Sequence, residues 1–229
     1  MCSMIKSMKK LEKRFEIITV FPDAFKGYLS GSILGRAIKR GLIQVGVTNI
    51  RDYTKDKHRK VDDRVYGGGP GMVLRAEPVL KAVEVNQKKF KKGKTKLILL
   101  SASGKEFTEN LATRYAKNYD NFIFICGRYE GVDERVKKIL RPEEISIGPY
   151  VLSGGELPAL VLTDAIARKV SGVLGKGESL EENRLGVGVP VYTRPEVFKY
   201  KGKKHRVPKE LMSGSHRDIR NWRLEHKKI

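Results

Sequence analysis

Short runs rich in Ile, Val, Leu and Phe recur along the chain, and between them apolar side chains return every three or four positions. Apolar runs alternating with helical spacing are the signature of a mostly parallel sheet joined by crossover helices, so the pattern predicts an α/β fold with helices on both faces. The predicted strands are “FEIITVF” (15–21), “VTNIRDYT” (47–54), “KLILLSA” (96–102), “NFIFICG” (121–127) and “EISIGPYVL” (144–152). Helices are predicted near 31–43, 75–86, 106–118, 131–140 and 156–170.

After Val170 the pattern fails. The stretch “SGVLGKGESLEENRLGVGVPVYTRPEV” is rich in glycine and polar residues and reads as a linker. The predicted layout is a basic tail over 1–14, the α/β domain over 15–170, a linker over 171–188 and a small basic, helical C-terminal domain over 189–229. So short a second domain holds little core and must dock on something.

Charge narrows the partner. Lys and Arg number 47 against 26 acids, a formal net charge of +21, which points to a polyanion and foremost to nucleic acid. The start, “MCSMIKSMKKLEKR”, lacks an apolar core and reads as a tail rather than a secretory signal. No run of about 18 apolar residues suggests a membrane span, so the expectation is a cytoplasmic protein with no membrane partner. Cys2 and Cys126 stand far apart, which predicts no disulfide, and Cys126 at the end of an apolar run is expected to be a buried hydrophobe.

One segment breaks the basic character. From Pro142 to Ala167 there is no Lys or Arg, yet Glu143, Glu144, Glu156 and Asp164 fall there around the glycine-rich “ISIGPYVLSGGELPA”. A phosphate cradle pairs backbone N–H groups with a cation, and here the cation is missing. Such glycines suit close backbone approach to a neutral or positive ligand, S-adenosylmethionine being one, or they serve only to shape turns. “GKT” at 93–95 lacks the first glycine of a P-loop, and no GxGxxG follows the first strand, so neither a P-loop nor a dinucleotide site is supported.

“FPDAF”, “RDYTKDKHRKVDDRVYGGGPGM”, “CGRYEGVDER”, “SIGPYVLSGGELPA”, “DAIAR”, “GVLG”, “YTRPEV” and “LMSGSHRDIRNWR” together resemble the tRNA (guanine-N1)-methyltransferase family, TrmD, of the SPOUT class. The match runs in order from about residue 15 to about 224. The resemblance implies a deep trefoil knot, an exception among folds that periodicity does not reveal, and an obligate homodimer. It also implies S-adenosyl-L-methionine held by main-chain groups of three loops. Carried over, these contribute Leu100, Ser101 and Gly104; Gly127, Tyr129, Glu130 and Gly131; and Ile147, Gly148, Pro149, Tyr150, Val151, Leu152, Gly154 and Gly155. Glu130 is expected to face the methionine end, or else to be a solvated loop carboxylate.

The implied reaction methylates N1 of the guanine directly 3′ of the anticodon, position 37. Neutral guanine carries a proton on N1, so a base must take it while a donor supports the charge growing on O6. Arg168, in “DAIAR”, matches the family arginine at O6; read from the residues alone, Asp164 and Arg168 also stand at the spacing of a helical ion pair. The expected base is an aspartate of the linker, and Asn183 stands in its place, with Gly188 where a second acid is common. Three readings follow: Glu182 or Glu181 takes over as base, the proton leaves through water, or the copy is a catalytically impaired tRNA-binding protein.

For tRNA, the resemblance brings Lys57, His58, Arg59, Asp62, Tyr66 and Gly69 near the anticodon branch, with Lys55 and Lys60 in the same polar loop. It makes the C-terminal domain a phosphate clamp through Arg194, Arg217, Arg220 and Arg223, helped by Lys201, Lys203, Lys204 and Arg206. Trp222 is expected in a small core more than on a base. Mg²⁺ is a further cofactor found across the family, but the residues show no ligand set, and no metal-ligating residue is assigned.

Overall fold

The structure, a computed structural model, describes residues 13–68, 70–174 and 188–227. The chain separates into two compact units on either side of the Leu174–Gly175 bond. In the first, the strands are β1 (Lys13–Thr19), β2 (Ile43–Asn49), β3 (Asp62–Arg64), β4 (Met72–Leu74), β5 (Thr95–Glu106), β6 (Asn121–Cys126) and β7 (Glu143–Ser146). The helices are α1 (Lys26–Ser30), α2 (Ser32–Lys39), α3 (Ala76–Lys89), α4 (Glu109–Asn118), α5 (Glu134–Leu140) and α6 (Glu156–Ala167). Five strands form one parallel sheet in the order β2-β1-β6-β5-β7, and β3 and β4 make a separate antiparallel pair.

Strand alternation sorts the core into two layers. From β6, Phe122, Phe124 and Cys126 join Phe15 and Ile17 beneath α2, α4 and α6, while Ile123 and Ile125 join Ile18 and Val20 beneath α3 and α5. Both faces are therefore apolar, which is why β6 reads as a continuous hydrophobic run. Phe15 and Phe122 stack at 5.2 Å, and Cys126 is fully buried, which pushes its thiol pKa up.

The predicted elements shift where local chemistry intervenes. Strand β2 begins earlier than expected and stops at Asn49, whose side chain accepts from the Arg51 N–H (3.0 Å) and turns Ile50–Tyr53 into a 3-10 helix. Strand β7 ends at Ser146, because the Ser146 hydroxyl donates to the Gly148 carbonyl (2.8 Å) and folds the following residues into a loop. The second unit is not all helical: Val197–Tyr200 and Lys203–Arg206 form an antiparallel hairpin ahead of helices Lys209–Met212 and His216–Glu225. The break between those helices falls at Gly214, with φ +74, and Ser215 caps the second. Trp222 is buried there, edge-on to Tyr192 and stacked on His226 at 4.2 Å. Among the described residues no helix is long and apolar enough to cross a membrane.

A buried polar network crosses the α3 face. The Thr48 hydroxyl donates to the Glu16 carboxylate and accepts from the Asn86 amide at 3.1 Å, and Glu16 occupies the space a side chain at Gly46 would fill. Thr48→Val keeps the shape but strips Glu16 of its donor. It should cost about 1–3 kcal/mol, read as a lower urea midpoint at unchanged m-value.

Candidate functional site

The carboxyl ends of β5, β6 and β7 open into a cleft of about 440 Å³, the usual ligand position in a parallel α/β sheet. Three loops wall it. The first is a bow in β5: Leu100 and Lys105 both pair with Ile145, so residues 101–104 leave the sheet between them. Gly104 lets the bow return, since a Cβ there would lie 2.5 Å from the Ile145 nitrogen. The second loop follows β6, and the third joins β7 to α6.

These last two loops are locked together. Gly155 N–H donates to the Gly127 carbonyl (2.9 Å), and a Cβ on Gly155 would come within 2.7 Å of the Cys126 Cα. A Cβ on Gly154 would meet Arg128 Nε at 2.3 Å. Arg128 donates to the Ser153 carbonyl (2.9 Å) and to Glu156 (3.0 Å), lies over the Phe21 ring at 4.5 Å, and so joins both loops to the segment after β1. Glu156, 4% exposed, also accepts from the Thr19 hydroxyl at 2.7 Å. The β3–β4 pair closes one side: Glu130 N–H donates to Met72 O (3.0 Å), and the Glu130 side chain fills the space beside Gly71, which has φ +116. This brings “YGGGPGM” against “GRYEG”.

Leu100, Ser101, Gly127, Tyr129, Glu130, Gly131, Ile147, Tyr150, Val151, Leu152, Gly154 and Gly155 line the cleft. Gly104, Gly148 and Pro149 are not among the lining residues; Gly104 packs on β7, and Gly148 leaves room for the Tyr150 ring. Sequence reasoning missed Arg128 and Lys137, the cations of the lining. Both are neutralised, Arg128 by Glu156 and Lys137 by Glu144 (3.1 Å) and Glu134 (3.4 Å). The Glu144 hydrogen bond holds the Lys137 ammonium above its usual pKa. With Glu130 also on the wall, the charge balance suits a neutral or cationic ligand.

Beside the cleft, and sharing Ile147, Tyr150 and Leu152 with it, lies a largely apolar groove of 600 Å³ along α6. Arg168 lines it at the end of α6, together with Asp164, which accepts from the Tyr28 hydroxyl. Leu157 and Val161 leave this face of α6 apolar and exposed.

The basic loop is shaped by Asp56, which accepts from the N–H groups of His58 (3.1 Å) and Lys60 (2.8 Å), and the Lys60 bond holds its carboxyl below the usual range. Lys57 and His58 are exposed, Arg59 lies 3.6 Å from Asp52, Asp62 opens β3, and Tyr66 is 99% exposed. In the second unit Arg194 and Arg220 are exposed, Arg223 is half-buried and Arg217 pairs with Asp218. Gly69, Glu181, Glu182 and Asn183 lie outside the described residues. Among the described residues no three His, Cys, Asp or Glu side chains gather as a metal site.

The Arg128–Glu156 pair should dominate the rigidity of the cleft. Arg128→Met leaves a buried carboxylate with one hydroxyl donor, and the expected loss is about 3 kcal/mol with faster hydrogen exchange in 127–131 and 153–155. Adding Glu156→Gln should restore part of that stability, measured by urea unfolding.

Comparison with known proteins supplies the family. The family model described as tRNA (Guanine-1)-methyltransferase TrmD matches residues 13–229. A tRNA (guanine-N(1)-)-methyltransferase of Dictyoglomus turgidum is 50% identical over 213 residues, covering 92% of this chain and 83% of that protein. Proteins of the same name from Photobacterium profundum (47%, 91% of this chain, 83% of theirs) and Thermomicrobium roseum (48%, 92% and 77%) are similar throughout. A match over nearly the whole chain, at about half identity to such relatives, shows that the protein belongs to the tRNA (guanine-1)-methyltransferase (TrmD) family of enzymes.

Proposed function

We propose that the protein transfers a methyl group from S-adenosyl-L-methionine to N1 of the guanine at tRNA position 37, next to the anticodon. The carrying observation is the convergence of three glycine-bearing loops on a cleft whose cations are already paired. S-adenosylmethionine supplies, when bound, a methyl group on a positively charged sulfur. Backbone groups of 100–104, 127–131 and 147–155 hold it, with Glu130 near the methionine end. Gly154 and Gly155 support this reading, since added side chains there would collide with Arg128 and Cys126.

Arg168 donates to guanine O6 as negative charge develops there. Glu182, with Glu181 beside it, receives the N1 proton, because an amide at Asn183 has no basic lone pair to offer at neutral pH. The basic loop at 55–60, Asp62, Tyr66 and Gly69 meet the anticodon branch, and Arg194, Arg217, Arg220 and Arg223 grip phosphates. The working form is a cytoplasmic homodimer that covers the apolar face of α6, with the trefoil knot of its class. The knot reading is supported by the pairing of Ile145 with both ends of the β5 bow and by the return of Gly155 to Gly127.

Labelled methyl transfer is expected to a transcript with guanine at position 37 and not to one with adenine there; repetition with EDTA reports any Mg²⁺ requirement. Arg168→Ala and Glu182→Gln should each lower kcat by about 10²–10³ while tRNA Kd stays within twofold. Transfer to neither transcript, with tight binding to both, would sink the proposal in favour of a binding protein. Leu157→Asp should convert the dimer to a monomer in sedimentation and abolish transfer; an unchanged dimer would remove α6 from the interface.

A further inference from the structure

At the end of the sheet opposite the cleft, the turn from α3 into β5 reads “KKFKKGKTK”, six lysines in the nine residues 88–96 with no acid among them. Lys88 pairs with Glu84 at 2.6 Å and Lys96 with Glu143. Lys89, Lys91, Lys92 and Lys94 are exposed, and among the described residues none of the four is in an ion pair. Exposed Lys117 stands three positions before Asp120, which anchors the same turn.

The turn is held by its backbone. Lys94 N–H donates to Asp120 Oδ2 (3.0 Å), Asn121 Nδ2 donates to the Lys92 carbonyl (2.9 Å), and Asp120 N–H donates to the Lys94 carbonyl (2.9 Å). Gly93 has φ +89, and a Cβ there would lie 2.7 Å from the Asp120 side chain. Phe90 packs into the core below α3. The lysine side chains take no part in these bonds, so a fixed loop presents several unpaired ammonium groups to solvent. Ammonium groups on flexible stems suit phosphates as point charges and read no base. The turn meets β6 at its first residue, and the cleft starts after its last, roughly 17 Å away at about 3.3 Å per residue. A phosphate held here is therefore not one beside a base in the cleft.

We propose that the Lys89–Lys94 turn, with Lys117, is a second and sequence-independent contact for RNA phosphates, outside the segment presented to the cleft. It rests on the reading that the protein acts on RNA, and its test is a binding measurement that does not need turnover. Full-length tRNA transcript is titrated by fluorescence anisotropy across a KCl series against wild type, Lys91→Ala/Lys92→Ala and a charge-matched control on α2, Arg36→Ala/Lys39→Ala. For the turn pair, the slope of log K against log[salt] should shrink by roughly 1.5, at about 0.7–0.9 per lost phosphate contact. Its Kd should rise about tenfold at fixed salt, the control should stay within twofold of wild type, and kcat at saturating tRNA should be unchanged. Lys91→Arg/Lys92→Arg should retain wild-type affinity. A turn pair that matches the control in slope and Kd would overturn the contact. Failure of the proposed reaction shows separately, as absent methyl transfer by the wild type.

Discussion

The close approach of Gly154 and Gly155 to the end of β6 is the contact on which the cleft depends. A side chain at either position would drive the loop into the Cys126 backbone or the Arg128 side chain. With hydrogen there instead, the loop settles on the strand, Gly155 bonds to Gly127, and Glu156 enters the core end of α6 as a carboxylate needing partners. Thr19 and Arg128 meet that need from two other segments. The buried charge is tolerable because it is paired and hydrogen-bonded, and removing either partner would leave its desolvation uncompensated. The glycines thus set the distance, and the ion pair sets the register, of the walls.

Charge follows the same logic. A net charge of +21 sets up a field that attracts polyanions and opposes a positive ligand. The cleft resolves the conflict by pairing: Arg128 and Lys137 point at it but are matched by Glu156, Glu144 and Glu134. The cation-free segment from Pro142 to Ala167 supplies two of those three carboxylates. Its acidity is consumed in neutralising neighbours rather than displayed to the ligand.

Much of the frame was legible because burial on both sheet faces writes itself as apolar runs; β1, β5 and β6 stand near where the runs lie. The missed strands are all short: Met72–Leu74 and Val197–Tyr200 hold three and four residues, too few for alternation to register, and the other two are polar. Asp62–Arg64 and Lys203–Arg206 carry no apolar alternation, and each exists because a partner strand accepts its backbone. β2 was displaced because Ile50 and Tyr53 extend the run of Val47 in the sequence, whereas the Asn49 side-chain bond to Arg51 N–H opens a 3-10 turn there. The glycine loops were legible through family resemblance. Arg128 was not: its partner lies 28 residues away, and no spacing rule joins two loops that meet only after folding. Glu182 and Asn183 were readable only as letters in a linker outside the described residues.

The two ends of the sheet differ in electrostatic character, with paired cations at one and exposed lysines at the other, and strand length separates them. The lysine turn sits before Asn121 and the cleft after Cys126, with β6 between them. That span of roughly 17 Å exceeds the Debye length of about 8 Å at physiological salt, so an unpaired ammonium on the solvent side of the turn is largely screened at the cleft mouth. Were the same lysines on the 147–155 loop, they would need carboxylate partners, as Arg128 and Lys137 do, and would then be spent as phosphate ligands. Pairing beside the cleft and leaving charge free at a distance are the two consequences that follow from one constraint in the proposed function: a polyanion and a neutral or cationic small molecule held by the same small sheet.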